Sequence, residues 1–199
     1  MVWSMSYRPK PDSYPGSEVI EGNSGELELE DSTPDGGVGL AIERLFSGRR
    51  VKPESVPKVI RFKSKRKLLD YEGSWNIYSV SDRFRALIEE IEPGVHQFEP
   101  VRFVAKDGAD FGTRWFWQVC NRIDSVHRGL TNMTLPGPHW RPPGAGVKPH
   151  MGFDVSAIGH ASFWHDKHIS NATFVSDAAK SRIDAAGITG VHFRYYDQA

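Results

Sequence analysis

The stretch VSDRFRALIEEIEPGVHQF at residues 80–98 has an echo near the C-terminus, VSDAAKSRIDAAGITGVHF at residues 175–193. Both copies begin with Val-Ser-Asp, pass through a segment of helical pattern, and then reach Gly-Val-His and a phenylalanine. Ser or Asp caps the first N–H groups of a helix, and a glycine commonly ends one. Each copy therefore predicts the end of a strand, a capped helix and a returning strand.

The apolar residues of both copies have the spacing of one helix face. The first copy places four of them at i, i+3, i+4 and i+7: Phe84, Leu87, Ile88 and Ile91. The second copy has a thinner face: Ala179, Ile183 and Ala186. An apolar stripe of this kind packs against the rest of a core. The repeat therefore predicts architecture rather than an active site.

Each copy also carries one histidine, His96 in the first and His192 in the second. Both lie beside apolar residues in a predicted strand. A histidine can act as a general acid or base, so a catalytic role is the alternative. We expect the structural role for both, namely a partly buried histidine where the helix turns into the strand.

Length and composition indicate one globular unit. A chain of 199 residues can bury a sizeable core. Segments such as PVRFVA (100–105) and TRWFWQV (113–119) are rich in aromatic and β-branched residues, which favours strands. The sequence therefore predicts a single α+β domain over residues 1–199, with an antiparallel or mixed sheet and two related strand-helix-strand units. Residues 8–37 and 129–152 are predicted to be rich in loops.

The bulk charge and the N-terminus bear on location. Lys+Arg and Asp+Glu number 25 each, so no global field favours nucleic acid or a membrane. The start MVWSMSYRPKPD lacks the pattern of a signal peptide, and no run approaches the roughly 18 apolar residues of a membrane span. The single cysteine, Cys120, leaves no intrachain disulfide and is expected to be a small buried hydrophobe. The expected location is the cytoplasm.

The charge is not balanced locally. Residues 11–43 contain nine acidic residues and no Lys or Arg, whereas residues 44–67 contain ten basic residues and one acid. The densest acids are candidate partner-binding residues: Glu26, Glu28, Glu30, Asp31 and Asp35. Leu27 and Leu29 interleave with them, so a strand here would turn the acids outward and the leucines toward the core. The alternatives are a solvated loop for the acids and a nucleic-acid-binding module for Arg44 to Lys67.

The segment from Gly129 to Gly152 contains ten Gly or Pro in 24 residues, which predicts a long loop. Trp140 lies inside it, in PGPHWRPPG. Its indole either pins the loop to the body of the protein or projects as a binding anchor. We favour pinning and keep Trp140 as a candidate partner-binding residue.

The segment HASFWHDKH is the strongest enzyme-like feature. Its three imidazoles and one carboxylate are residue types that bind zinc: His160, His165, Asp166 and His168. A metal-dependent hydrolase would use the three histidines together with Asp154. In a strand, however, His160 and His168 share one face while His165 points to the other. We find no Walker A loop, GxGxxG fingerprint, GxSxG elbow or HExxH motif. The prediction is therefore no catalytic residue and no bound metal, with the hydrolase kept as the alternative.

The order of these features resembles a known family. The stretch LLDYEGSWNIYSVSDRFRALIEEIEPGVHQFEPV is similar to the central motif of immunity-protein family eleven of bacterial polymorphic toxin systems, formerly a domain of unknown function. An aromatic strand like RWFWQVCNRID follows, then FDVSAIGHASFWHDKHISNATFVSD and a final AAGITGVHF. The likeness covers residues 70–130 and 150–195, and residues 129–152 resemble an insertion.

The resemblance implies a protein that is not an enzyme. Members of this family are made beside a toxin that is secreted or delivered by contact, and they bind and block that toxin. The expected partner is a cognate toxin encoded next door, often a nuclease, with no cofactor, no membrane and no direct contact with nucleic acid. The family has no catalytic residues to transfer to this chain.

Overall fold

The computed structural model describes residues 1–8, 16–40, 44–63, 67–74 and 76–196. The described strands form two sheets. The first has five strands in the order β11-β1-β10-β9-β8, with bounds β1 (Val2–Tyr7), β8 (Arg122–Ile123), β9 (Phe163–Asp166), β10 (Thr173–Ser176) and β11 (Val191–Tyr196). The second has six in the order β2-β3-β6-β7-β5-β4, with bounds β2 (Ser17–Gly22), β3 (Pro57–Phe62), β4 (Tyr71–Ser74), β5 (Ile77–Val80), β6 (Gln97–Val104) and β7 (Asp110–Gln118).

The described helices are α1 (Asp82–Ile91), α2 (Val155–Ile158) and α3 (Asp177–Ala185). Strands β3 and β6 are parallel, as are β8 and β9, and the other strand pairs are antiparallel. The predicted α+β domain with mixed sheets is confirmed. None of the helices in the described part of the chain is long and apolar enough to cross a membrane.

Each copy of the sequence echo forms a split strand-helix-strand unit. In the first, β5 and β6 pair antiparallel with β7, which lies between them, and α1 connects the two. In the second, β10 and β11 pair antiparallel with β1, and α3 makes the connection. The two outer strands of each unit are therefore parallel to each other. One unit lies in each sheet, so the repeat in the sequence becomes a repeat in the architecture.

Both helices begin and end as the sequence predicts. The Ser81 hydroxyl accepts a hydrogen bond from the Phe84 N–H, and the Ser176 hydroxyl accepts one from the Ala179 N–H. These bonds satisfy N–H groups that have no partner inside the helix. Past the end of α3, Gly187 has a φ of 61°, a left-handed conformation that glycine adopts without a steric penalty.

The apolar helix faces are narrower than the sequence predicts. Phe84 and Ile88 of α1 are fully buried, as are two residues of α3, Ala179 and Ile183. Leu87 is only half-buried. The prediction for Ala186 is wrong, because this residue caps the C-terminus of α3 and is exposed.

Three apolar clusters fill the space around the sheets. The central one lies between them and joins both helices to strand residues such as Trp117 and Phe163. The second covers the outer face of the six-stranded sheet with residues from 27–56. The third covers the outer face of the five-stranded sheet and includes Phe153, with Trp140 packed against it. Leu27 and Leu29 on one side and Trp140 on the other therefore help to close the core.

A buried polar network joins the first unit to the other sheet. The Glu92 carboxylate, at the end of α1, lies 2.8 Å from His96 Nε2 and accepts bonds from the N–H groups of Ser162 and Phe163. The Cys120 N–H donates to His96 Nδ1, so Nε2 carries the ring proton. The predicted structural role of His96 is confirmed, and the residue is buried. The same prediction is wrong for His192, which is exposed on β11.

Candidate partner-binding surface

The acidic segment at residues 26–31 is an extended strip beside residues 50–52. The Glu30 N–H donates to the Arg50 carbonyl at 3.1 Å, and the Lys52 N–H donates to the Glu28 carbonyl at 2.7 Å. Leu27 and Leu29 are buried in the second cluster, whereas Glu26, Glu28 and Glu30 are exposed. The predicted alternation of outward acids and inward leucines is therefore confirmed.

Cations from the adjacent basic segment lie against the acids of this strip. Three ion pairs connect the two: Glu26 with Arg44 at 3.8 Å, Glu28 with Lys52 at 2.9 Å, and Asp31 with Arg49 at 3.1 Å. The bond from Lys52 lowers the pKa of Glu28, and bonds from Thr33 lower the pKa of Asp31. The surface is thus a ladder of paired charges. We call residues 26–31, with their cations Arg44, Arg49 and Lys52, the charge ladder.

Asp35 lies outside the charge ladder and is bound mainly by Arg122. Its two carboxylate oxygens accept bonds from Arg122 at 2.7 and 2.8 Å, and Arg49 and Lys167 lie 3.4 and 3.9 Å away. The Arg122 guanidinium holds the pKa of this carboxyl far below its usual range. The Arg122 side chain is 6% exposed and that of Asp35 is 20% exposed. These contacts give Asp35 a structural task, which is to tie the N-terminal segment to β8.

The Gly/Pro-rich loop is braced at several points. The Thr134 and Arg141 backbones exchange two hydrogen bonds at 2.8 and 3.0 Å, and the Asn132 side chain accepts from the His150 N–H at 2.7 Å. The backbone N–H of Trp140 donates to the His168 carbonyl at 3.3 Å, and the Trp140 indole packs against the third cluster. Trp140 therefore pins the loop, as the sequence analysis favours. Most of the loop around it is exposed.

The four residues of the hydrolase alternative have separate tasks. His165 is buried in β9, where Nε2 lies 3.0 Å from the Thr173 hydroxyl and burial lowers its pKa to about 3. His160 is exposed in a turn, and His168 Nδ1 lies 3.0 Å from the Pro138 carbonyl. Asp154 caps α2. Among the described residues, no three His, Cys, Asp or Glu side chains form a group that could hold a metal ion.

Two further candidate functional features, the Cys120 thiol and the basic segment Arg44 to Lys67, have local environments that bear on their roles. Burial raises the pKa of the Cys120 thiol to about 11, so the nucleophilic thiolate is disfavoured. In the basic segment Arg44 to Lys67, cations of the charge ladder face carboxylates, and Arg61 pairs with Glu18 at 2.7 Å. Residues 64–66 of that segment lie outside the described residues.

Both units contain a clamp that the sequence did not predict. In the first unit, Trp115 of β7 donates its indole N–H to Asp82 at 2.7 Å. The Arg85 guanidinium lies over the same indole, 3.7 Å from the centre of the Trp115 ring. In the second unit, Trp3 donates its indole N–H to Asp177, and the Lys180 ammonium lies over the Trp3 ring. The signal was present, because each echo has an acid at the first helical position and a cation three residues later.

The fold and these surfaces define a small α+β protein whose loops and charged strip are fixed by hydrogen bonds and ion pairs. The chain belongs to the Imm11 family of immunity proteins, whose family model matches residues 24–198. The match begins well before residues 70–130, the first segment that carries the resemblance in the sequence. A comparison with curated proteins found no match.

Proposed function

We propose that this protein binds a cognate toxin one to one and blocks it without catalysis. The observation that carries the proposal is the family match over residues 24–198. Inhibition by binding requires a stable surface rather than reactive groups. The braced loop and the charge ladder provide such surfaces, and three side chains of the hydrolase alternative, those of His165, His168 and Asp154, make structural contacts instead.

We further propose that the two proteins meet in the cytosol and that the toxin acts on a cytosolic target. A nuclease is the toxin class expected from the family. Its active groove must be basic to hold phosphate groups. A protein that blocks such a groove would present carboxylates to it, and complementary charge speeds association.

The proposed interface is the charge ladder. Glu26, Glu28 and Asp31 have side chains that are 79%, 57% and 64% exposed although each lies near a cation. The ion pairs restrict these carboxylates before the partner arrives, which lowers the entropy lost on binding. Glu30 is exposed too. Asp35 contributes indirectly in this proposal, because its bonds with Arg122 hold the chain that follows the strip.

The loop at residues 129–152 is the second proposed contact. Trp140 anchors it to the third cluster, and the exposed side chains of Leu130 and Val147 are 41% and 54% accessible. Prolines and cross-loop hydrogen bonds restrict its conformation. A braced loop with exposed apolar side chains suits a protein partner.

Co-expression tests the proposal. The toxin domain encoded beside this chain is produced in a bacterial host with and without the full chain, and growth is measured. We expect growth to be restored only by the chain, and the two proteins to co-elute in gel filtration. A toxin of an unrelated family is the control and should remain lethal. Unrestored growth together with separate elution would contradict the proposal.

A further inference from the structure

The Gly/Pro-rich loop and its flanks carry charge of a single sign. Residues 125–153 contain no Asp or Glu, although they include three side chains that are cationic at neutral pH: Arg128, Arg141 and Lys148. All three are exposed. The charge ladder differs, because each of its cations lies against a carboxylate. We call these three cations, with the backbone of residues 128–148, the cationic loop.

Hydrogen bonds tie two of these cations to the same short segment of the loop. The Thr134 and Arg141 backbones exchange hydrogen bonds at 2.8 and 3.0 Å. Two residues before Thr134, the Asn132 side chain donates to the Lys148 carbonyl at 2.9 Å. These bonds restrict the backbone positions of Arg141 and Lys148 before a partner binds, which lowers the entropy lost on binding.

The charges of the cationic loop are not fully neutralised within the fold. Arg128 lies 3.2 Å from Asp124, but the two side chains are 64% and 39% exposed, and a surface ion pair of this kind is weak. Neither Arg141 nor Lys148 forms an ion pair with another described residue. Exposed cations of this kind attract an anionic surface from a distance.

The cationic loop approaches the charge ladder through a row of contacts. Arg49 of the ladder lies 3.4 Å from Asp35, and Asp35 lies 3.9 Å from Lys167. The next residue, His168, has its Nδ1 3.0 Å from the Pro138 carbonyl of the loop. An ordinary interface takes about 20–30 residues from each partner, which is enough to include both surfaces.

Exposed apolar side chains beside the cations favour a protein partner over a nucleic acid. Leu130, two residues after Arg128, is 41% exposed. Val147, directly before Lys148, is 54% exposed. Protein interfaces combine apolar contacts with arginine, whereas a single-stranded nucleic acid stacks its bases on available aromatic rings. The Trp140 indole of the loop is packed against the third cluster instead.

We propose that the cationic loop binds an acidic segment of the toxin, while the charge ladder faces the basic groove of the same toxin. This inference rests on the proposed function and adds the chemistry of the toxin surface that the loop recognises. Two contacts of opposite sign select the orientation of the toxin, because a reversed toxin would bring like charges together.

Stopped-flow association with the inactivated toxin domain from the adjacent gene tests the inference. The loop variants are Arg141→Gln/Lys148→Gln and Arg141→Glu/Lys148→Glu. The matched control is Lys63→Gln/Lys106→Gln, because both lysines are exposed just after the ends of β3 and β6 in the other sheet. At low salt we expect the Gln pair to associate about tenfold more slowly than the wild type, the Glu pair more slowly again, and the control near the wild-type rate. The differences should shrink as salt rises.

Three results would overturn the inference while the proposed function stands. The first is a wild type that binds the toxin and loop variants that associate like the control. The second is equal slowing by the Gln and Glu pairs, which would indicate side-chain shape rather than charge. The third is salt-dependent binding of a short single-stranded DNA that the Gln pair abolishes, which would assign the loop to nucleic acid. A folded wild type that does not bind the toxin would contradict the proposed function itself, and the inference with it.

Discussion

Glu92 and Asp35 illustrate how single residues hold distant segments together. Glu92 accepts bonds from His96, Asn121 and the backbone at the start of β9, and it thereby joins the end of α1 to the other sheet. Asp35 joins the N-terminal segment to β8 through Arg122. A buried carboxylate with several donors stabilises a structure, whereas removal of one partner leaves a buried charge unpaired.

His165 makes stability depend on pH in a specific window. Burial lowers its pKa to about 3 in the folded protein, whereas an unfolded chain has a histidine pKa of about 6.5. Between these values the unfolded chain binds a proton that the folded protein does not, so a falling pH favours unfolding. We expect His165 to lower the free energy of unfolding by about 1.4 kcal/mol per pH unit below about pH 6.5.

Urea unfolding at pH 7 and pH 5 measures this effect. The variant His165→Gln should lose the dependence, while His160→Gln, at an exposed position, should keep it. Asp35 and Asp70 have lowered pKa values, because each accepts hydrogen bonds from an arginine. The stability that these two carboxylates contribute is present above about pH 4 and declines only below it. It therefore does not change between pH 7 and pH 5. A pH dependence of the wild type no steeper than that of His165→Gln would show that His165 is misplaced, because the raised pKa of the buried Asp166 acts on both proteins alike.

Residue patterns predicted some of these positions and not others. The alternation of Leu27 and Leu29 with acids was visible in the sequence, because a strand has a period of two. The pairing of those acids with Arg44, Arg49 and Lys52 was not, because it depends on a turn of the chain between them. The burial of His96 but not of His192 also depends on tertiary contacts, since both occupy the same place in the echo.

At the scale of elements, the two helices belong to one core. Ile88 of α1 and Ile183 of α3 are both 0% exposed and lie in the central cluster. An ion pair between Glu90 and Arg182 also connects the helices. The Arg83 guanidinium donates to the carbonyls at the end of α3 at 2.9 and 3.1 Å. The two units therefore share one core and are joined by hydrogen bonds and an ion pair.

Truncation of the buried isoleucines tests this arrangement. We expect Ile88→Ala and Ile183→Ala each to lower the free energy of unfolding by about 2–4 kcal/mol, because each leaves a cavity in a closed core. Leu87→Ala is the matched control on α1. It removes a similar volume at a half-buried position, so its effect should be clearly smaller. A urea midpoint that is lower for Leu87→Ala than for Ile88→Ala would mean that the helix face is assigned incorrectly.

Helices, caps and the returning strands could be predicted because their signals are local. The order of the strands in the sheets could not be predicted from the sequence. Placing β1 between β10 and β11 joins the first residues of the chain to the last, and no spacing within the sequence encodes that contact. The acid and the cation of the clamp were visible in each echo, but the tryptophan that they contact was not, since Trp115 comes from a strand that is distant in the sequence from Asp82.

At the scale of the whole molecule, folding compensates part of the charge asymmetry of the sequence in the described residues. The acidic and basic segments lie against each other and form the charge ladder. The long-range field is therefore weaker than the acidic block alone suggests. Any steering of a basic toxin must come from the local arrangement of exposed carboxylates.

Association kinetics with the toxin test the role of the ladder. The variant Glu28→Gln/Glu30→Gln/Asp31→Asn should associate more slowly and with a shallower dependence on salt, while dissociation changes less. The variant Glu89→Gln/Glu90→Gln/Asp184→Asn is the control, because it changes the net charge equally on the helix surface. Equal association rates of both variants at low salt would exclude a local role for the ladder and favour the loop at residues 129–152.

The central claim is that this chain neutralises a toxin by binding it one to one. Isothermal titration calorimetry with an inactivated toxin domain from the adjacent gene tests it most directly. We expect one chain to bind per toxin, with a dissociation constant in the nanomolar range or below. A toxin domain that is proven lethal in its active form and releases no heat of binding with the folded chain would contradict the account.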